Sequence, residues 1–125
     1  MAFSDVKGTI PGLLAGADLS AAQFRVVKLA STAGEVILAT AKTDNAVGIL
    51  QNNPTAGEAA EVAYLGISKA IASANVTAGE FVTANSTGQV TNINSTAGST
   101  IVGQALEASA VAGSIISVRL GVGVQ

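Results

Sequence analysis

One four-residue word, Thr-Ala-Gly-Glu, punctuates this chain at 32–35, 55–58 and 77–80, and a degenerate copy follows at Thr96-Ala97-Gly98-Ser99. The three full copies lie 23 and 22 residues apart. Glycine supplies positive φ or a tight turn at no steric cost, so each copy reads as a turn. The runs between the turns are short and rich in Val, Ile, Ala and Thr, which is strand composition. The chain is therefore expected to be all-β: a compact β-barrel or β-sandwich of short strands.

A longer correspondence lies above the short one. Val47-Gly48-Ile49-Leu50 leads through Ala56-Gly57 to Val62-Ala63-Tyr64-Leu65-Gly66. Val102-Gly103-Gln104-Ala105-Leu106 leads through Ala112-Gly113 to Val118-Arg119-Leu120-Gly121, with a one-residue shift at the turn. Upstream, Gly34–Ala39 matches Gly79–Ala84. Two similar β motifs, 19–66 and 67–121, would account for this, packed together as one domain over 18–125. Chance similarity in a chain so rich in Ala, Gly, Val and Thr is the competing account.

The same pairing settles a local conflict. Glu58–Leu65 has helical propensity, but its counterpart Ser114–Leu120 is β-branched, so both are assigned as strands. Further strands are expected at Phe24–Ala30, Glu35–Ala39, Ala46–Asn52, Ile67–Ala72, Phe81–Ala84, Gln89–Asn92 and Ile101–Glu107. A short helix is expected around Ser20–Gln23, capped by Asp18 or Ser20. Residues 1–17 are broken by Gly8, Pro11, Gly12 and Gly16, and their apolar residues follow no clear period. They read as an extended N-terminal arm that docks on another chain, with a disordered or self-docked terminus as the competing account. Phe3, Ile10, Leu13 and Leu14 are its candidate apolar anchors on another chain.

The core implied by this sequence is thin. There are 24 Ala and 14 Val against three Phe, one Tyr and no Trp. Aromatic side chains bury roughly 150–250 Å² each, whereas each buried CH₂ of a small aliphatic contributes about 0.8 kcal/mol. A domain built this way commonly gains stability by association, so an oligomer or an obligate partner is expected.

Residue chemistry excludes most function classes. The chain has no Cys and no His, which removes disulfides, thiol nucleophiles, the usual general base and the commonest metal ligand. The nearest paired carboxylates, Glu58 and Glu61, would point to opposite faces of a strand. Asp44-Asn45 lacks a third oxygen ligand at useful spacing and reads as a turn. Gly121-Val122-Gly123 has no room for a following helix, so it is not a dinucleotide loop. Asn75-Val76-Thr77, Asn85-Ser86-Thr87 and Asn94-Ser95-Thr96 match the glycosylation pattern but are assigned to turns. No catalytic residue, cofactor site or metal site is expected, and the protein is read as no enzyme.

The formal net charge is −2, and the six basic residues (Lys7, Arg25, Lys28, Lys42, Lys69 and Arg119) are scattered. Direct nucleic-acid binding needs clustered cations and is not expected. The first residues lack the basic and apolar regions of a secretory signal, and no apolar run approaches the roughly 20 residues of a membrane span. No membrane partner is expected.

The order of segments resembles the small capsid decoration (cement) proteins of tailed bacteriophages. The resemblance runs over about 17–121. It is carried by Ala17–Leu29, Ala46–Leu50, Ala56-Gly57-Glu58, Val76–Thr83, Gly88–Thr91, Ile101–Ala108 and Ser117–Leu120. It implies a compact β domain, a homotrimer bound to the major capsid protein on the outer surface of the virion, and no enzymatic activity. A glycan- or cell-surface-binding β-sandwich, with Tyr64 as its starting point, or a tail or fibre subunit, are the alternatives.

Overall fold

In the computed structural model residues 7–93 and 98–124 are described, and every regular element among them is a strand. In chain order these are β1 (Lys7–Ile10), β2 (Leu14–Ala15), β3 (Val26–Leu29), β4 (Glu35–Leu38) and β5 (Ala46–Leu50). Then come β6 (Val62–Ala72), β7 (Phe81–Ala84), β8 (Val90–Asn92), β9 (Thr100–Ala105) and β10 (Ser114–Val124).

Five strands close on one another. β10 pairs antiparallel with β6 and β9, β7 pairs with β9 and β8, and β8 returns to β6 through the parallel Ala72–Val90 pair. Of the two expected architectures, the barrel is the one observed. β5, β3, β4 and β2 continue outward from β6 in that order, and β1 also pairs with β6.

The repeated word is a self-bonded turn. In all three copies the Glu N–H donates to the Thr carbonyl, at 3.2 Å for Glu35, 3.0 Å for Glu58 and 3.1 Å for Glu80. The third residue sits at positive φ, +85° at Gly57 and +92° at Gly79, which a type II turn requires at that position. In the second and third copies the carboxylate then reaches back. Glu58 Oε1 accepts from the Thr55 N–H and hydroxyl, both at 2.7 Å, and Glu80 Oε1 accepts from the Thr77 N–H at 2.6 Å.

Two apolar cores lie on either side of one shared sheet. The barrel core has sixteen residues, of which seven are Ala and none is aromatic. An eight-stranded barrel is already just wide enough for side chains to fill. A five-stranded one is narrower, which is why this interior takes Ala and Val. The second core comprises Leu13, Ala15, Leu19, Ala22, Val27, Val36, Leu50, Ala60 and Val62. Successive strand residues point to opposite faces. Accordingly Val26, Ile49 and Ala63 face the barrel, while their chain neighbours Val27, Leu50 and Val62 face the second core.

Glycine permits the close crossings. A Cβ on Gly48 would lie 2.1 Å from the Ala63 carbonyl oxygen, and one on Gly103 would lie 2.3 Å from that of Arg119. β5 thus crosses β6 as β9 crosses β10, at matching points of the longer sequence correspondence. The segments upstream pair differently: β4 pairs with β3 and β2, whereas β7 pairs with β8 and β9.

Several expected elements need correction. No helix forms at Ser20–Gln23. The segment is a pair of turns, with Ala22 N–H donating to Leu19 O and Arg25 N–H to Ala22 O, and Phe24 takes a φ of +65°. Asp18 Oδ1 accepts from Ser20 N–H at 3.0 Å, an Asx turn rather than a helix cap. The strand expected from Glu58 begins only at Val62, because Glu58 is held in its turn. It then runs on through Ile67–Ala72 as one 11-residue strand. The β1–β6 register slips between Gly8 and Thr9, leaving Tyr64 as an extra residue in β6. This bulge resets the alternation, so Ala63 and Ala70, seven apart, both face the barrel core.

Candidate functional site

From Lys7 onward the N-terminal segment is part of the sheet. β1 pairs Ile10 with Val62, and β2 pairs Leu14 with Glu35 in parallel. Ile10 packs partly buried against the second core, and Leu13 lies within that core at 9% exposure. Leu13 is therefore held by its own chain. Leu14 points the other way and stays 42% exposed. Phe3 lies outside the described residues.

Asp18, Asp44, Glu58, Glu80 and Glu107 are engaged in structure. Asp44 Oδ2 accepts from Thr40 N–H at 2.8 Å and Ala41 N–H at 3.1 Å, and it pairs with Lys28 Nζ at 3.3 Å. Burial pushes the Asp44 carboxyl up. The Thr40 hydrogen bond, the Lys28 hydrogen bond and charge, and the Ala41 N–H outweigh it and hold the group below its ordinary value. The backbone and hydroxyl of Thr55 lower Glu58 in the same way, and Ser20 lowers Asp18. Among the described residues no three acidic side chains gather as a cation site. Asn85 Oδ1 accepts from the N–H groups of Thr87 and Gln89, which is turn chemistry. Gly121 and Gly123 lie in β10, not in a loop.

The outside of the barrel presents an open surface. β10 buries Ile116, Val118 and Leu120, so Ile115, Ser117 and Arg119 point outward. Register places Gln104 of β9 and Ile67 of β6 on either side of Arg119, and Phe81 of β7 beyond Gln104. Leu65 stands opposite Gly121 on the same face, and Leu106 N–H bonds to the Ser117 carbonyl. Phe81 is 51% exposed, Leu65 55% and Ile115 56%. Burying one such side chain is favourable by about 1.5–3 kcal/mol, so this face favours contact with another surface.

Reading by elements missed this face, although a signal for it was present. Ile115-Ile116 places two large apolar residues side by side in a strand with one buried face, so one must look outward unless a second core covers it. In Tyr64-Leu65 both stay exposed, because the bulge at Tyr64 interrupts the alternation. Arg119, between Val118 and Leu120, marks the same outer face from the polar side.

Comparison with known proteins bears on what such a β domain does. A model of the phage cement protein family matches residues 14–120, which takes in all of the barrel core and the second core except Leu13. No curated protein matches the chain.

Proposed function

The chain belongs to the phage cement protein family, a structural, capsid-associated class. From that premise we propose that it seats as a homotrimer on the outer face of the shell, where it ties neighbouring subunits of the major capsid protein together. The observation that carries this reading is the span of the family match, which covers the whole barrel core and all of the second core but Leu13. The physical character of the fold supports it. Closure leaves the five barrel strands without a free edge through which sheets pair indiscriminately, and free edges remain at β1 and β2. The barrel therefore offers side-chain surface, which can be specific. An ordinary interface buries roughly 800 Å² per partner, and a symmetric oligomer engages several such surfaces at once. The proposed role is mechanical and includes no catalysis. Leu14, a large apolar residue exposed in the N-terminal segment, is proposed to touch a neighbouring chain.

Quantitative mass spectrometry of purified virus particles tests the proposal. A copy number close to that of the major capsid protein, with mass measurement of the free protein giving a trimer, is the expected result. A few copies per particle would point to the tail or a fibre. Absence from particles would overturn the reading.

A further inference from the structure

The outer barrel face has a chemical asymmetry that its apolar residues alone do not explain. At its centre Arg119 is exposed yet held in place. Its Nη2 donates to Gln104 Oε1 at 2.6 Å, and Gln104 Nε2 donates in turn to the Gly79 carbonyl at 2.9 Å. The guanidinium is thus braced through one side chain to the backbone of a Thr-Ala-Gly-Glu turn. Among the described residues no carboxylate lies within ion-pair distance of it; the pair present is Lys28–Asp44. The second cation of the face, Lys69, stands 5.9 Å from the centre of the Phe24 ring. The nearby acid, Glu107, accepts the Ser117 N–H at 2.8 Å and keeps its charge, so the face carries two cations against one anion. In a chain of net charge −2, this face presents two cations among Leu65, Phe81, Leu106 and Ile115.

We infer that this face docks a capsid-shell subunit through a surface that presents a carboxylate surrounded by apolar side chains, with Arg119 as the receiving group. The inference rests on the reading of the chain as a capsid-bound cement protein and names the surface that reading leaves open. Three physical points favour it. Arginine binds carboxylates through two parallel N–H···O bonds, and bracing reduces the rotamer freedom lost on binding. Arginine and aromatic residues dominate the energetic centres of interfaces, with apolar neighbours that exclude water. A second copy docking through the same face would bring Arg119 and Lys69 against their own equivalents, and like charges across an interface are costly. Charge complementarity therefore selects an acidic, apolar partner surface and disfavours face-to-face pairing of two copies; a cyclic trimer joins unlike faces and leaves this one open.

The test uses the full-length protein and purified shells that lack it, with binding measured by co-sedimentation at two salt concentrations. Arg119→Glu is expected to weaken shell binding by at least about tenfold, and Arg119→Lys by less, because the charge survives without the fork. Both variants are expected to melt with the wild type, since the substituted side chain is exposed. Wild-type binding should weaken as salt rises. Arg119→Glu binding shells as tightly as the wild type would overturn the inference while leaving the cement reading intact. Loss of oligomerisation in free Arg119→Glu, with shell binding retained, would also overturn it by assigning the face to copy–copy contact. Failure of the wild type itself to bind shells would remove the cement reading and this inference with it.

Discussion

Gly48→Ala isolates one physical cause of stability, because Gly48 has no positive φ and alanine suits its backbone conformation. The cost must come from space. The added Cβ would stand 2.1 Å from the Ala63 carbonyl oxygen, 0.9 Å inside the 3.0 Å limit that real Cβ atoms respect, and 3.0 Å from Val62 Cγ1. The oxygen belongs to the backbone of β6, so no side-chain rotation relieves the clash. β5 must move from β6 by most of an ångström, and the Ile49–Ala63 pair sits at that point. Overpacking a tight site costs about 1–3 kcal/mol and sometimes more, and here the upper end applies because a strand pair shifts with it. Gly57→Ala is the matched control. Its added Cβ meets nothing within 4 Å, but its φ of +85° is hostile to alanine, at about 1–2 kcal/mol. For a domain of this size 1 kcal/mol moves Tm by about 3–5 °C. Thermal unfolding followed by far-UV circular dichroism should therefore show Gly48→Ala at least about 10 °C below the wild type, and Gly57→Ala about half as far. Equal losses, or a smaller loss for Gly48→Ala, would refute the claim that the strand crossing needs a missing Cβ.

Two further outcomes test other parts of the fold. Leu13→Ala should cost about 2–4 kcal/mol in urea unfolding, because Leu13 is buried in the second core, whereas Leu14→Ala should leave stability within about 0.5 kcal/mol. Reduced shell binding by Leu14→Ala at unchanged stability would support a contact role for that residue. Asp44 sits below its ordinary value when folded, so its contribution is full above the unfolded value near 3.9 and fades as pH falls through the lower folded value. Asp44→Asn should therefore cost about 1–2 kcal/mol at pH 6, and the gap should close as pH falls below the unfolded value and through the lower folded one. A gap independent of pH would assign the loss to packing instead of charge.

What was legible in the sequence depended on how local its cause was. The Thr-Ala-Gly-Glu turns were readable because every interaction that defines them lies within four residues: the Thr carbonyl, the glycine φ and the returning carboxylate. Strand identity at Val26–Leu29, Glu35–Leu38 and Phe81–Ala84 followed from composition between those turns. The expected helix at Ser20–Gln23 failed because propensity over four residues cannot outweigh Phe24 at positive φ and the turn made by Asp18. Leu13 and Leu14 could not be told apart as anchors. Which of them is buried depends on β2 lying beside β4, a partner about twenty residues away. The bulge at Tyr64 was hidden for the same reason, since it exists only in the register between β1 and β6.

The shared sheet explains why the sequence lacks the alternation expected of half-buried strands. Val26-Val27, Ile49-Leu50 and Val62-Ala63 are adjacent apolar pairs, and each places one side chain in each core. Such a sheet leaves no face to water, so alternation gives way to continuous apolar runs, as in parallel sheets covered on both sides. It also couples the two halves mechanically. A load that displaces β5 or β6 disturbs both cores at once, so neither half can yield without the other. For a protein proposed to hold neighbouring shell subunits together, that is the useful property. Force entering at the outer barrel face through β6 passes along one continuous 11-residue strand into the second core, where Leu13 and Val62 meet. The thin, alanine-rich interior is then no defect of the design. A narrow barrel needs small residues, and it resists deformation through closed hydrogen-bonded ladders more than through the size of its core.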